Sequence, residues 1–315
     1  MSETCHKPRQ RPCMTFHQRR RGTLISPVPS GDQRAIDLGV IVGSGHDWHL
    51  GLVGRRVPAG NVKDAVGIAF VVQSSSIPSL MPTHTRPRLI AHRGMPQRHR
   101  ENTLEGFLAA SVAGADAWEL DVHATRDGVV VVHHDATLPV SAGVWGERAI
   151  ASADWSALRE APVGSAGERM PTLDAVLEAA AASATEVCIE IKARNIEMQV
   201  LACLARHPDV PVAIHSFDHR VGVHVHTLSP ATRTGILLDS YLVDPAHALR
   251  GAMARDYWPH RAHVDRALVD AIHDAGGRVV VWTVNDPDEA MSLAALGVDA
   301  ICTDVVDELR AVLKR

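Results

Sequence analysis

The chain has 315 residues, 46% hydrophobic and 22% charged, with a formal net charge of −4. This composition is globular and excludes disordered and fibrous classes, and the length suits one large domain or two ordinary ones. The small negative balance gives no electrostatic reason to expect nucleic acid or an anionic lipid surface as a partner. No stretch reaches the roughly 18–20 apolar residues of a membrane span, so stable membrane insertion is not expected. Cys5, Cys13, Cys188, Cys203 and Cys302 are odd in number and contain no C-x-x-C pair. They read as small buried hydrophobes, not as a disulfide framework or a structural zinc site. A cytoplasmic location is the expectation, and nothing in the sequence sets an oligomeric state.

In chain order, the first 21 residues carry Lys7, Arg9, Arg11, Arg19, Arg20 and Arg21 against one acid, Glu3. Such a segment has the charge of a targeting peptide, but no amphipathic period accompanies it. No sustained helical or strand period follows before Met81. Residues 1–86 therefore read as an irregular N-terminal extension, either disordered or contributed by a start codon upstream of a natural start at Met81. Residues 87–315 read as the folded domain.

From Arg88 onward short β-rich runs alternate with helical stretches. Strands are expected over residues 89–91, 117–122, 129–133, 187–191, 212–216, 233–237, 256–259, 279–284 and 300–303. Asn102, with Glu105 three residues later, reads as a capping box that opens the first helix. Pro171-Thr172 opens a helix over 173–182. Pro287 opens another over 288–296, which Gly297 closes.

Six residues separate Val122 from Val129, and Asp127-Gly128 lies among them. Parallel neighbours need a crossover of a dozen residues or more, whereas Asp-Gly between apolar runs marks a tight hairpin. The run 129–133 is then the returning arm of a hairpin. A two-residue loop at Asp127-Gly128 sets Asp121 directly opposite His134. The eight remaining strands with helical connections suit a closed (β/α)8 barrel, whose chemistry sits at the C-terminal strand ends.

Those ends carry reactive side chains. The first strand finishes in His92-Arg93-Gly94. The second carries Glu119-Leu120-Asp121 and the third Glu190-Ile191-Lys192, each with two ionisable groups on one face. Three acids in one barrel mouth are costly unless neutralised. A buried ion network is one account, with Arg93 and Lys192 offsetting two of them. A bound hard cation, Mg²⁺ or Ca²⁺, is the preferred account, because oxygen ligands without cysteine suit such ions. The accompanying positive charge suits a phosphate group, and His92 and His134 suit acid–base catalysis near neutral pH. His224 and His226, two apart on an expected helix, diverge and cannot share an ion.

These residues form an ordered set: Leu89-Ile90-Ala91-His92-Arg93-Gly94, Glu101-Asn102-Thr103, Glu119-x-Asp121-Val122-x-x-Thr125-x-Asp127-Gly128 and Val131-Val132-x-His134-Asp135. Pro171-Thr172-Leu173, Glu190-Ile191-Lys192, Ser216-Phe217-Asp218, Trp282-Thr283-Val284-Asn285 and the run from Gly297 to Asp304 follow. The set resembles the glycerophosphodiester phosphodiesterase family over about residues 88–313. The resemblance implies a TIM-type barrel and hydrolysis of a small glycerophosphodiester to glycerol 3-phosphate and an alcohol. It also implies a cation on Glu119, Asp121 and Glu190, and His92 and His134 as the acid–base pair. Arg93 and Lys192 would hold the phosphate, and Trp282 would face the glycerol or alcohol. His99, His123 and His133 match no role and read as surface or supporting residues. Residues 136–146 lack the polar stretch many members carry after the His-Asp, which bears on substrate preference. A lysophospholipase D acting on membrane lipid would want an apolar or interfacial segment near the mouth, and none is evident. A non-catalytic binding barrel would be expected to have lost one of these groups.

Overall fold

The structure is a computed structural model that describes residues 40–44, 47–51, 86–141, 144–164 and 167–313. The chain divides into two compact units, Met1–Ser79 and Leu80–Arg315. In the first unit, strand β1 (Val40–Ser44) pairs antiparallel with β2 (Asp47–Gly51). The absence of strand pattern read for that region does not hold there, since Val40-Ile41-Val42 is a β-branched run suited to a strand. The rest of the expectation for residues 1–86 lies almost wholly outside the described residues.

The second unit follows the expected alternation. In chain order come β3 (Arg88–His92), α1 (Leu104–Ala113), β4 (Ala117–Ala124), β5 (Val130–Val132), β6 (Thr137–Ser141), β7 (Val144–Ala149), α2 (Trp155–Leu158) and α3 (Leu173–Ala182). They are followed by β8 (Glu186–Ile191), α4 (Glu197–Arg206), β9 (Val212–Ser216), α5 (His219–Leu228), β10 (Arg233–Leu238) and α6 (Pro245–Gly251). The chain finishes with β11 (Asp256–Pro259), α7 (Arg266–Asp274), β12 (Arg278–Val281), α8 (Pro287–Leu296), β13 (Ala300–Thr303) and α9 (Val306–Leu313). β3, β4 and β8 to β13 pair in parallel, and β3 returns to β13, so the eight strands close a (β/α)8 barrel. α5 contains His224 and His226, as expected. Among the described residues no helix is long and apolar enough to cross a membrane.

β5 is the antiparallel arm that the Asp-Gly turn predicts, but its register differs by one residue. Val122 pairs with Val132 and Ala124 with Val130, so Asp121 faces His133, whose N–H donates to the Asp121 carbonyl at 2.9 Å. The loop holds three residues, not two. Thr125 N bonds Val129 O at 2.9 Å, and Gly128 closes the turn in the left-handed region at φ 83°. This is the type I turn followed by a left-handed residue that three-residue hairpins use. A second hairpin, β6 with β7, was not expected from the sequence.

Strand alternation divides the core into shells. Outward residues such as Leu89, Trp118, Leu120, Ile189, Ile236 and Ile301 pack beneath the helices with essentially no exposure. Inward residues Ile90, Ala117, Cys188, Ala213, Leu237, Trp258, Val280, Ala300 and Cys302 fill the barrel axis. Each fully buried aliphatic side chain contributes roughly 1.5–3 kcal/mol, so the outer shell supplies most of the stabilisation.

Below the axial plug lies a charged layer that the sequence reading did not single out. Arg88, Glu186, Arg233, Asp256 and Arg278 are each the first residue of a strand. Glu186 pairs with both Arg88 and Arg233, and Asp256 bonds Arg233 at 3.0 Å and Arg278 twice at 2.8 Å. Asp256 is 1% exposed. Removing it leaves two guanidinium groups facing each other beneath the core. Asp256→Ala is expected to lower unfolding free energy by about 3 kcal/mol in chemical denaturation, within the range for breaking a buried pair.

Candidate active site

At the opposite end of the barrel a cavity of about 160 Å³ opens among the C-terminal strand ends. It is lined by His92, Arg93, Glu119, His134, Glu190, Lys192 and Trp282, which are seven of the eight residues singled out from sequence. The eighth, Asp121, lies beneath them with no exposure. His215, Phe217 and Trp258 complete much of the wall and had been given no role.

The mouth is built by a sharp departure of the chain after β3. Arg93 adopts φ 54° and Gly94 φ 91°, both left-handed. A Cβ on Gly94 would stand 2.8 Å from the backbone carbon of Gly106 in α1, so only glycine allows this approach. The turn delivers Arg93 N to the Glu119 carbonyl at 3.0 Å and to its carboxylate at 3.2 Å. The guanidinium bonds Glu101 at 3.2 Å, and its Nε stands 3.1 Å from Asp121 Oδ2 as an ion pair without hydrogen-bond alignment.

Asn102 is not the helix cap. Thr103 caps α1 by accepting from Gly106 N, while Asn102 is held at φ 57° and is 1% exposed. Its side-chain amide donates to Asp121 Oδ2 at 2.9 Å and its carbonyl accepts from Asp121 N at 3.3 Å. Locally the residue fits a cap. The buried carboxylate next to it has the stronger claim, because an unpaired ion in the interior costs far more than a cap returns.

Lys192 Nζ lies 2.9 Å from Glu190 and 3.4 Å from Asp121. Burial alone would raise the Asp121 pKa, but Arg93, Lys192 and Asn102 outweigh it and hold the carboxyl below its ordinary value. Glu190 moves the other way. Burial and the charge of Asp121 push its carboxyl up against the pull of Lys192. The buried carboxylates thus outnumber the permanent cations that touch them, and Asp121 Oδ1 makes no hydrogen bond.

Ligand atoms of Glu119, Glu190 and His215 lie within 4.8 Å of one another, an acidic and imidazole set able to hold a divalent cation. His215 is 1% exposed, stacks on Trp258 at 4.1 Å between ring centres, and stands 3.7 Å from Glu119. Its inward place followed from strand alternation with Ala213, though a lone histidine gives little signal by itself. The excess of carboxylate over permanent cation and the oxygen donors of Glu119 and Glu190 fit such an ion.

The two candidate histidines have separate carboxylate partners. His92 Nδ1 bonds Asp304 at 2.7 Å, and Asn285 fixes Asp304 through its side-chain amide at 2.7 Å. Burial alone would lower the His92 pKa. The Asp304 hydrogen bond and the Glu119 charge overcome it and raise the value. His134 stands beyond the end of β5 and bonds Asp135 at 2.8 Å, so Asp135, and not Asp121 across the ladder, is its direct partner. The His123 ring bonds the His134 backbone carbonyl at 3.1 Å, a supporting contact. His133 is 6% exposed, so a surface reading of it fails. Burial lowers the pKa of both His123 and His133. At the rim Trp282 donates to the Trp258 carbonyl at 3.0 Å and meets the Phe217 edge at 5.5 Å. In Asp304→Asn, the His92 pKa followed by NMR titration is expected to fall below that of the unaltered protein.

Comparison with known proteins agrees with this fold. A glycerophosphodiester phosphodiesterase from Caldanaerobacter subterraneus subsp. tengcongensis is 30% identical over 239 residues, covering 72% of this chain and 98% of its own. A Mycobacterium tuberculosis relative is 34% identical over 241 residues, 71% of this chain and 89% of its own. Among solved structures, an Oleispira antarctica phosphodiesterase in complex with the product sn-glycerol-3-phosphate superposes with a TM-score of 0.68 at 25% identity, covering 73% of this chain and 98% of that one. Residues 92–308 match the sequence model of the glycerophosphoryl diester phosphodiesterase family, and the chain belongs to that family.

Proposed function

We propose that the protein hydrolyses small glycerophosphodiesters to glycerol 3-phosphate and an alcohol, using a divalent cation and two histidines. The observation that carries this reading is the convergence of His92, His134, Arg93, Lys192 and the buried carboxylates on one small cavity. At about 160 Å³ it is smaller than the roughly 300–1,000 Å³ of pockets for drug-sized ligands, which favours a compact head group over a lipid chain.

Glu119, Asp121 and Glu190 would hold the cation, Mg²⁺ or Ca²⁺ by their oxygen donors; Glu119 and Glu190 converge with His215, and Asp121 stands outside that cluster. When bound, the ion would polarise a phosphoryl oxygen. The net charge of the floor supports a monoanionic ligand. Three carboxylates against two permanent cations leave one negative charge, and a dication reverses this to one positive charge, matching a phosphodiester. Glu101, further out and partly exposed, is screened by solvent.

Arg93 and Lys192 orient the phosphate oxygens and offset charge that develops on them. One histidine takes the proton of the attacking hydroxyl as its oxygen bonds to phosphorus. The other gives a proton to the alcohol oxygen as the second P–O bond breaks. Attack by water gives glycerol 3-phosphate directly, whereas attack by the glycerol 2-hydroxyl gives a transient cyclic phosphate, whose P–O bond to the 2-oxygen water then breaks by the same pair of proton transfers. Asp304 and Asn285 fix the His92 ring, and Asp135 fixes His134. Trp282 and Phe217 form the apolar rim that faces the leaving alcohol. The three described cysteines are free buried thiols, which fits a reducing, cytoplasmic compartment.

Exhaustive EDTA treatment is expected to abolish turnover of glycerophosphocholine, and Mg²⁺ or Ca²⁺ to restore it. Full activity after chelation would return the carboxylates to a purely structural role. His92→Ala and His134→Ala are each expected to lower kcat by about 10²–10⁴-fold with the fold intact. A p-nitrophenyl phosphodiester, whose leaving group needs no proton, should rescue one variant and not the other. Losses of only a few-fold on the natural substrate would end the acid–base reading.

A further inference from the structure

We propose a second cation site, of zinc class, at the rim of the barrel mouth on Asp239, His260 and His263. Asp239 follows β10, His260 follows β11, and His263 ends the short 3-10 turn Arg261–His263. Their ligand atoms lie within 4.8 Å of one another, and none of the three lines the catalytic cavity.

The spacing carries the argument. Asp239 Oδ1 stands 3.6 Å from His263 Nε2 and 3.8 Å from His260 Nδ1. Both distances are too long for hydrogen bonds. Three lone-pair donors therefore converge without bonding one another. Zinc–nitrogen bonds of about 2.0–2.1 Å and zinc–oxygen bonds of about 2.0–2.2 Å in a tetrahedral site set neighbouring donors roughly 3.4 Å apart. The two Asp239 distances lie within a few tenths of an ångström of that spacing, and the imidazole nitrogens lie within 4.8 Å of each other. His260 Nδ1 now accepts from Ala262 N at 3.3 Å, and the ion would take over that weakly used lone pair. Asp239 is 68% exposed and the two imidazoles about 30%, so an ion has an open approach from solvent.

Two imidazoles and one carboxylate select a borderline transition dication over Mg²⁺ or Ca²⁺. The site is chemically distinct from the carboxylate floor. It would also tie two connections together beside Trp282, the one after β10 and the one after β11. The His260 ring meets the Trp282 edge at 5.2 Å, and Arg261 N bonds the Trp282 carbonyl at 2.8 Å. A bound ion would hold this turn, and through it one wall of the cavity. That last consequence rests on the role proposed above for Trp282; ion binding does not.

The test uses the full chain dialysed against Zn²⁺ in excess Mg²⁺, which competes for the carboxylate floor. Retained zinc is counted for the unaltered protein, Asp239→Ala, His263→Ala and the control His247→Ala, an exposed histidine elsewhere. The first two variants are expected to hold one zinc fewer than the unaltered protein, and the control the same number, all with unchanged circular dichroism. Equal counts in all four proteins, or a loss in only one of the two rim variants, would overturn the three-ligand site. Because zinc is counted directly, the result stands apart from whether the phosphodiesterase reading is correct.

Discussion

The mouth of the barrel is organised around one carboxylate. Asp121 has no solvent exposure, so its charge exists only where other chain segments reach in to meet it. Three do: Arg93 from the end of β3, Asn102 from the entry to α1 and Lys192 from the end of β8. Two of the three sit at positive φ, a conformation costing about 1–3 kcal/mol for a non-glycine residue. The Asp121 contacts offset that cost and lock the first three staves together at their chemical end. Once Arg93 is fixed, its backbone N–H bonds Glu119; once Lys192 is fixed, its ammonium meets Glu190. The cavity is thus assembled outward from a group that never touches solvent.

The two ends of the barrel treat charge differently. At the bottom Glu186 and Asp256 are gripped by Arg88, Arg233 and Arg278, and every carboxylate has guanidinium partners. That end is complete in itself and stabilises the closed ring. At the top the acids exceed the permanent cations and Glu190 is pushed toward its neutral form. Such incompleteness is what a site awaiting ligands looks like, and it agrees with the division between stability and chemistry along barrel strands.

Much of this is legible in the amino-acid sequence alone. Alternating strands and helices gave the barrel count, and side-chain parity on β4 and β8 put Glu119, Asp121 and Glu190 inside. The hairpin register was not legible, because Asp127-Gly128 fits a two-residue loop and a three-residue loop equally well, and only the ladder itself, with Thr125 N bonding Val129 O, decides between them. Asn102 was misread for a similar reason. The local pattern offers a helix cap, and only the tertiary position of Asp121 reveals a stronger partner. His215 obeyed the same parity rule as Ala213 but lacked a second polar residue on the inward face of its strand to draw notice. The basal charges were spread over five strands, and no local pattern joins them.

The axial plug and the ionic layer beneath it have a consequence for traffic. Ile90, Ala117, Cys188, Ala213, Trp258 and Val280 seal the barrel axis, and the paired arginines seal it again below. The pocket is a blind sac, and whatever enters must back out through the same opening. In such a vessel the order of departure is set by depth. In the proposed placement the alcohol, bounded by Trp282 and Phe217 at the rim, would be free to leave while the phosphate end remained against Arg93 and Lys192. The phosphorylated product would then be the last occupant, and as long as it lingered no new diester could be admitted.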